Sequence, residues 1–101
     1  MSEFAVTQIS NIMLGTTKLA RSVAFYRDTL GLTLLVETEG FAFFNAGGVT
    51  LSLSEAHGKL ATPVAGGTEI VFGVADVTAA HSALSTQGVE FTNAPRNVTG
   101  D

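Results

Sequence analysis

Residues 18–32, with the sequence KLARSVAFYRDTLGL, decide the fold class of this chain. Apolar side chains recur there at i, i+4, i+7 and i+11, the spacing of one face of an amphipathic helix. These positions are Leu19, Val23, Tyr26 and Leu30. Thr16 or Thr17 can cap the start of the helix, and Gly31 followed by apolar Leu32 is a typical helix stop. The stretch therefore predicts a capped amphipathic helix with an abrupt end.

Short β-rich segments flank this helix. The predicted strands cover residues 8–16, 32–38, 41–46 and 49–54. Glu39-Gly40 and Gly47-Gly48 supply turns between the last three. Because strand side chains alternate between two faces, the last strand is expected to pack one face and to present a polar one. Its apolar set is Val49, Leu51 and Leu53, and its polar set is Thr50, Ser52 and Ser54.

The same order of elements then restarts after a predicted linker over residues 56–67, which is rich in glycine. A strand is expected over 68–75, a helix capped by Asp76, a stop at Gly88 and a strand over 89–92. The apolar stripe of this helix is Val77, Ala80, His81 and Leu84. The chain is therefore predicted to be one domain of two similar modules, the first over about 8–55 and the second over about 68–101.

The helix of residues 18–32 resembles a family signature, Asp-Leu-x-x-Ser-x-x-Phe-Tyr leading into Leu-Gly-Leu, with Lys18 in place of the aspartate. Gly-Val-Ala-Asp-Val and Gln-Gly-Val-Glu-Phe in the second half are similar to the second repeat of that family. The family is the glyoxalase/bleomycin-resistance/extradiol-dioxygenase (vicinal oxygen chelate) superfamily. The resemblance implies an α+β fold of two βαβββ modules, whose strands form an open cup with helices outside. The last strands of the second module are expected to lie beyond Asp101.

The resemblance also implies where a metal would bind, because metal enzymes of this superfamily hold a divalent ion inside the cup. The equivalent positions here are Asn11, Ser52 and Glu69, and a fourth is expected beyond Asp101. Only Glu69 is a good ligand, since such sites rely on imidazole and carboxylate groups. We therefore expect no bound metal, with a divalent-metal site as the alternative.

Strand alternation also predicts which residues line the cup. The expected lining is Asn11, Met13, Thr50, Ser52, Ser54, Glu69 and Val71. Such a mixture of apolar and polar groups is typical of a small-molecule site, although a solvated sheet face without ligand has the same pattern. Glu69 is the candidate ligand-orienting or catalytic group, with a plain surface carboxylate as the alternative.

Other side chains with chemical potential have simpler interpretations. His57 is expected to be solvated in the linker, and His81 to be packed on the helix stripe. Phe41, Phe43 and Phe44 are expected mainly in the core, with one ring available to stack on a planar ligand.

Composition narrows the functional classes. The net charge is −4 and only 14% of residues are charged, so no basic surface favours nucleic acid. No apolar run is long enough for a membrane span, no signal peptide is evident, and a cytoplasmic location is expected. The scarcity of charge favours a homodimer. Three functions remain open: a metal-free protein that binds a small organic molecule, a metal-dependent lyase or dioxygenase, and a dimerisation scaffold without ligand.

Overall fold

The computed structural model describes residues 4–60 and 68–96. The chain divides into two compact units, Met1–Pro63 and Val64–Asp101. The α+β class and the open sheet expected from the sequence are confirmed. Within the described residues, no helix is both long and apolar enough to cross a membrane.

The first unit is built on a four-stranded sheet in the order β1-β4-β3-β2. The strands are β1 Asn11–Gly15, β2 Thr33–Thr38, β3 Phe41–Asn45 and β4 Thr50–Ser54. The three strands that follow the first helix are antiparallel neighbours, whereas β1 pairs in parallel with β4. The strand–helix–three-strand order predicted for the first module is therefore present, and its topology brings residues 11–15 beside residues 50–54.

The helix predicted over residues 18–32 has two parts. An α-helix, α1, spans Leu19–Ala24 and continues as a π-helix over Phe25–Thr29. Gly31 has a φ of +81°, and the Leu32 N–H donates to the Tyr26 carbonyl at 2.9 Å. This left-handed glycine confirms the predicted stop, because such a conformation is far less costly for glycine than for other residues.

The start of α1 differs from the prediction. Lys18 is the N-cap residue and makes no side-chain capping bond. The Leu19 N–H instead donates to the Glu55 carboxylate at 3.3 Å, while the Thr16 hydroxyl accepts from the Lys18 N–H at 3.3 Å. The cap thus comes from a residue 36 positions away, which local sequence patterns do not reveal.

One face of the sheet packs against α1 and forms the core. Its fully buried residues are Leu19, Val23, Ala42, Phe44, Leu51 and Leu53. Ile12, Leu14 and Tyr26 are half-buried against this cluster. Leu51 and Leu53 therefore confirm the apolar side predicted for the last strand, whereas Val49 precedes β4 and lies outside this cluster.

The predicted linker over 56–67 is wrong in its first part, because Glu55–Leu60 forms a short helix, α2. This helix lies against the end of β1: a Cβ placed on Gly15 would lie 2.7 Å from the Gly58 backbone nitrogen. Six residues are too few for a clear helical period, and the glycine that suggested a linker is there for close backbone packing. Residues 61–67 lie outside the described part.

The second unit contains helix α3, Val77–Thr86, with the predicted cap and stop. The Ala79 N–H donates to the Asp76 carboxylate at 2.9 Å. Gly88 has a φ of +90°, and the Val89 N–H donates to the Leu84 carbonyl at 3.0 Å, the bond that defines a Schellman motif. Local capping chemistry therefore correctly predicted both ends of this helix.

The strands predicted over 68–75 and 89–92 are not formed, because neither segment belongs to a sheet within the described residues. Val71 is 81% exposed and Val74 is 53% exposed. β-rich composition favours a strand only when a partner satisfies its backbone groups and covers its side chains. No such ladder includes these segments among residues 4–60 and 68–96.

Candidate functional site

The face of the sheet opposite the core, called here the second face, holds most of the predicted site residues. Strand pairing arranges them in rows: Asn11, Thr50 and Asn45 share one row, and Met13, Ser52 and Phe43 share the next. Because neighbours in a row point to the same side of the sheet, residues distant in sequence meet on this face.

Asn11 and Ser52 form a hydrogen-bonded pair on the second face. The Ser52 hydroxyl donates to Asn11 Oδ1 at 2.5 Å. Ser52 is fully buried, whereas Asn11 is exposed. Because the buried hydroxyl occupies the amide oxygen, the Asn11 NH₂ group is left to donate outwards. The pair therefore presents the Asn11 NH₂ group as a hydrogen-bond donor, and the bond from buried Ser52 holds the Asn11 side chain in place.

Ser54 is also fully buried, and its partner is His57 of α2. The His57 backbone N–H donates to the Ser54 hydroxyl oxygen at 3.2 Å, and His57 Nδ1 lies 3.2 Å from the same oxygen. His57 is thus exposed but anchored, not merely solvated in a linker as predicted. Ser52 and Ser54 position their neighbours, while Asn11, Met13 and Thr50 retain accessible surface.

Two phenylalanines form an aromatic wall on the second face. Phe41 and Phe43 stack with ring centroids 6.4 Å apart and ring planes 16° apart, and Phe41 is 39% exposed. The expectation that these rings belong mainly to the core holds only for Phe44, which is 0% exposed. The period-two alternation of residues 41–45 contains the missed signal, since burying Ala42 and Phe44 turns Phe41 and Phe43 to the other side.

The remaining predicted site residues, Glu69 and Val71, lie in the second unit. Both are exposed, and neither lies in a helix or a strand. His81, predicted to be packed, is half-buried, and the centroids of its ring and of the Phe91 ring are 4.5 Å apart. It therefore contributes to packing within its own unit.

Asn11 and Ser52 offer only neutral oxygens at the positions where the resemblance implies metal ligands. The two side chains are also bonded to each other. Divalent first-row ions favour imidazole, thiolate or carboxylate donors. Across residues 4–60 and 68–96, no group of three His, Cys, Asp or Glu side chains is placed to hold a metal ion.

Comparison with known proteins identifies the family of this chain. A sequence model of the Glyoxalase/Bleomycin resistance protein/Dioxygenase superfamily matches residues 8–101. The chain belongs to this superfamily. The first-helix signature and the strand order of the first unit are thus features of a glyoxalase-superfamily domain.

Among curated relatives, the glyoxalase-superfamily chain is similar to metallothiol transferase FosB. It is 47% identical over 47 residues to the protein of Staphylococcus haemolyticus strain JCSC1435, and equally identical to that of Staphylococcus epidermidis. The match covers 46% of this chain and 34% of either relative. The chain thus matches about a third of the length of these curated relatives.

Solved structures of the superfamily share the fold. A glyoxalase/bleomycin resistance protein/dioxygenase from Nocardioides aligns over 95% of this chain and 72% of its own, with a TM-score of 0.75 and 29% identity. A lactoylglutathione lyase from Agrobacterium tumefaciens aligns over 87% and 75%, with a TM-score of 0.66 and 18% identity. The bleomycin resistance determinant encoded on transposon Tn5 aligns over 88% and 72%, with a TM-score of 0.63 and 18% identity. The last two show likeness of fold alone.

Proposed function

We propose that this chain binds a small organic molecule on the second face of its sheet, without needing a metal ion. The observation that carries the proposal is the Asn11–Ser52 pair beside the stacked rings of Phe41 and Phe43. A fixed polar group next to an aromatic wall is the usual composition of a small-molecule site. Superfamily membership supports it, since one relative by fold is a bleomycin resistance determinant.

The chemistry of the pair defines the ligand that we expect. The Asn11 amide presents N–H donors, because its oxygen already accepts from Ser52 at 2.5 Å. Phe41 and Phe43 offer a flat apolar surface suited to a planar group. The proposed ligand is therefore a planar molecule with a carbonyl or similar acceptor at one edge.

A fragment screen by two-dimensional NMR tests this proposal. Planar ketones and amides are expected to shift backbone signals of β1, β3 and β4. Asn11→Asp replaces the donor by an acceptor and should weaken binding by about tenfold, since a typical hydrogen bond is worth about 1 kcal/mol and more when its loss leaves opposed acceptors. Asn93→Asp makes the same change at an exposed position of the second unit and should leave affinity unaltered. Shifts confined to residues outside these strands would contradict the proposal.

The ligand-orienting role of Glu69 stays a prediction from the sequence, because Glu69 belongs to the second unit and the second face belongs to the first. If it accepts a hydrogen bond from the ligand, Glu69→Gln should weaken binding by about 1.5–3 kcal/mol, the range for bonds to charged groups. Its folding should hardly change, because Glu69 is exposed. If the same fragments stabilise the wild type and Glu69→Gln equally in a thermal-shift assay, Glu69 is an ordinary surface carboxylate.

The second candidate function is metal-dependent catalysis, and similarity to metallothiol transferase FosB favours it. We expect weak metal affinity, because the side-chain oxygens of Asn11 and Ser52 are neutral and are hydrogen-bonded to each other. Calorimetry with zinc, nickel and manganese is therefore expected to give no submicromolar binding. Submicromolar affinity that disappears in Glu69→Gln would replace the first proposal by this one.

A further inference from the structure

We propose a second binding site on this chain, for a small anion attached to an aromatic ring, in a depression beside the start of α1. The depression has a volume of about 430 Å³, within the roughly 300–1,000 Å³ that is usual for small-molecule pockets. Its lining residues are Thr16, Lys18, Arg21, Ser22, Phe25 and Tyr26. None of them belongs to the second face, so this site does not depend on the proposed function.

Two cations, Lys18 and Arg21, line the depression. Lys18 and Arg21 make no ion pair within the described residues, whereas Arg27 is paired with Asp28 at 2.8 Å. The chain as a whole has only five Lys and Arg and a net charge of −4. Two of its five cations therefore line one depression, where they attract an anion that the rest of the surface repels.

The ammonium group of Lys18 takes no part in capping α1, because it carries only hydrogen-bond donors and cannot accept a helix N–H. Lys18 is the N-cap residue but bonds no helix N–H through its side chain. Glu55 accepts the Leu19 N–H at 3.3 Å instead. Glu55 is half-buried, and its carboxylate is engaged by the helix backbone. No ion pair within the described residues holds the Lys18 ammonium group away from the depression.

The spacing of the cations and one ring places them on one side of the helix. Lys18, Arg21 and Phe25 follow each other at i, i+3 and i+7, so they lie along one helical face. Phe25 is 38% exposed and meets the half-buried Tyr26 edge-to-face, with centroids 5.3 Å apart. A flat apolar group can cover Phe25 while an attached anion meets the two cations.

Two hydroxyl groups in the depression add a hydrogen-bond donor for an anion. Thr16 Oγ1 and Ser22 Oγ are 2.6 Å apart and hydrogen-bonded. Only one of these hydroxyl protons is used between them, so the second remains to donate to an anionic oxygen. Two cations, one free hydroxyl proton and an exposed ring together match an aryl phosphate or an aryl carboxylate.

Titration of the whole chain with phenyl phosphate, followed by two-dimensional NMR at low salt, tests this site. Amide signals of residues 16–26 are expected to shift, and benzyl alcohol, a neutral analogue, should leave them in place. Inorganic phosphate should bind more weakly because it cannot cover Phe25. Phe25→Leu should reduce the difference between the two phosphates.

Substitutions that remove single charges distinguish binding in this depression from a non-specific attraction of anions to the protein. Lys18→Gln or Arg21→Gln should each weaken phenyl phosphate binding about two- to fivefold, the equivalent of an exposed ion pair worth up to about 1 kcal/mol. Lys59→Gln removes the same charge from α2 and should have no effect. Equal weakening in all three variants, or shifts that do not include residues 16–26, would overturn the proposal. An unchanged spectrum of each free variant would establish that the fold is intact.

Discussion

At the scale of single residues, the Asn11–Ser52 hydrogen bond is the contact on which the proposed site depends. A double-mutant cycle with Asn11→Ala, Ser52→Ala and the double variant should give a coupling free energy of about 0.5–1.5 kcal/mol in chemical unfolding. The reason is that the 2.5 Å bond is lost in either single variant and cannot be lost twice. Additivity to within about 0.3 kcal/mol would show that the pair does not interact in solution.

Tyr26 should make the stability of the fold sensitive to alkaline pH. Burial raises the pKa of the Tyr26 phenol above its ordinary value of 10.0, because the charged phenolate loses hydration in the folded state. Above pH 10 the unfolded chain releases this proton more readily than the folded one, so the free energy of unfolding should fall as pH rises through the folded pKa. Below pH 10 this group should have no effect.

Tyr26→Phe is the matched control, since it keeps the ring that lies 5.9 Å from Phe44. Unfolding by urea at pH 8 to 11 should show a smaller loss of stability in this variant than in the wild type. Parallel curves for the two proteins would mean that the phenol is hydrated in the folded state.

At the scale of elements, the packing of α2 against β1 depends on a glycine. Gly58→Ala should destabilise the first unit by roughly 1–3 kcal/mol, because the new methyl group meets the backbone of Thr16. Helix propensity alone predicts the opposite sign, since alanine is favoured over glycine inside a helix by about 1 kcal/mol. A loss of stability would therefore show that the contact with Thr16 determines the effect, and a gain would show that helix propensity does.

Gly73→Ala provides the control for this substitution. A Cβ on Gly73 meets nothing within 4 Å, and its effect should stay within about 0.5 kcal/mol. Thermal unfolding followed by circular dichroism measures both. A neutral or stabilising Gly58→Ala would show that α2 is free to move away from β1.

At the scale of the whole molecule, we expect a homodimer. Only 14% of residues are charged, and several large apolar side chains are exposed, among them Ile9 at 65%, Leu35 at 54% and Val71 at 81%. In the described sheet, β1 and β2 are edge strands, and unpaired edges favour association. Sedimentation velocity should show a dimer that dissociates on dilution. A single monomeric species at micromolar concentration would contradict this expectation.

Sequence alone determined the parts of this protein that depend on local chemistry. The helix stripe from Leu19, the glycine stop at Gly31 and the Asp76 cap each involve residues only a few positions apart, so their patterns predict them directly. The strand–helix–three-strand sequence of elements in the first unit was predicted from these local patterns and agrees with the βαβββ module that the resemblance implied, and the match over residues 8–101 confirms that family.

Only the tertiary structure decided the features that depend on contacts between distant positions. Asn11 meets Ser52 across 41 residues, and Glu55 caps α1 across 36 residues. In the sequence, Gly58 indicated a linker. In the structure, it allows the backbone of α2 to approach the end of β1 closely. The strands predicted over 68–75 and 89–92 are not formed, because strand propensity is realised only when a partner strand satisfies the backbone. The local sequence does not specify that partner. Local sequence specifies what each segment favours, and packing determines which of these preferences are met.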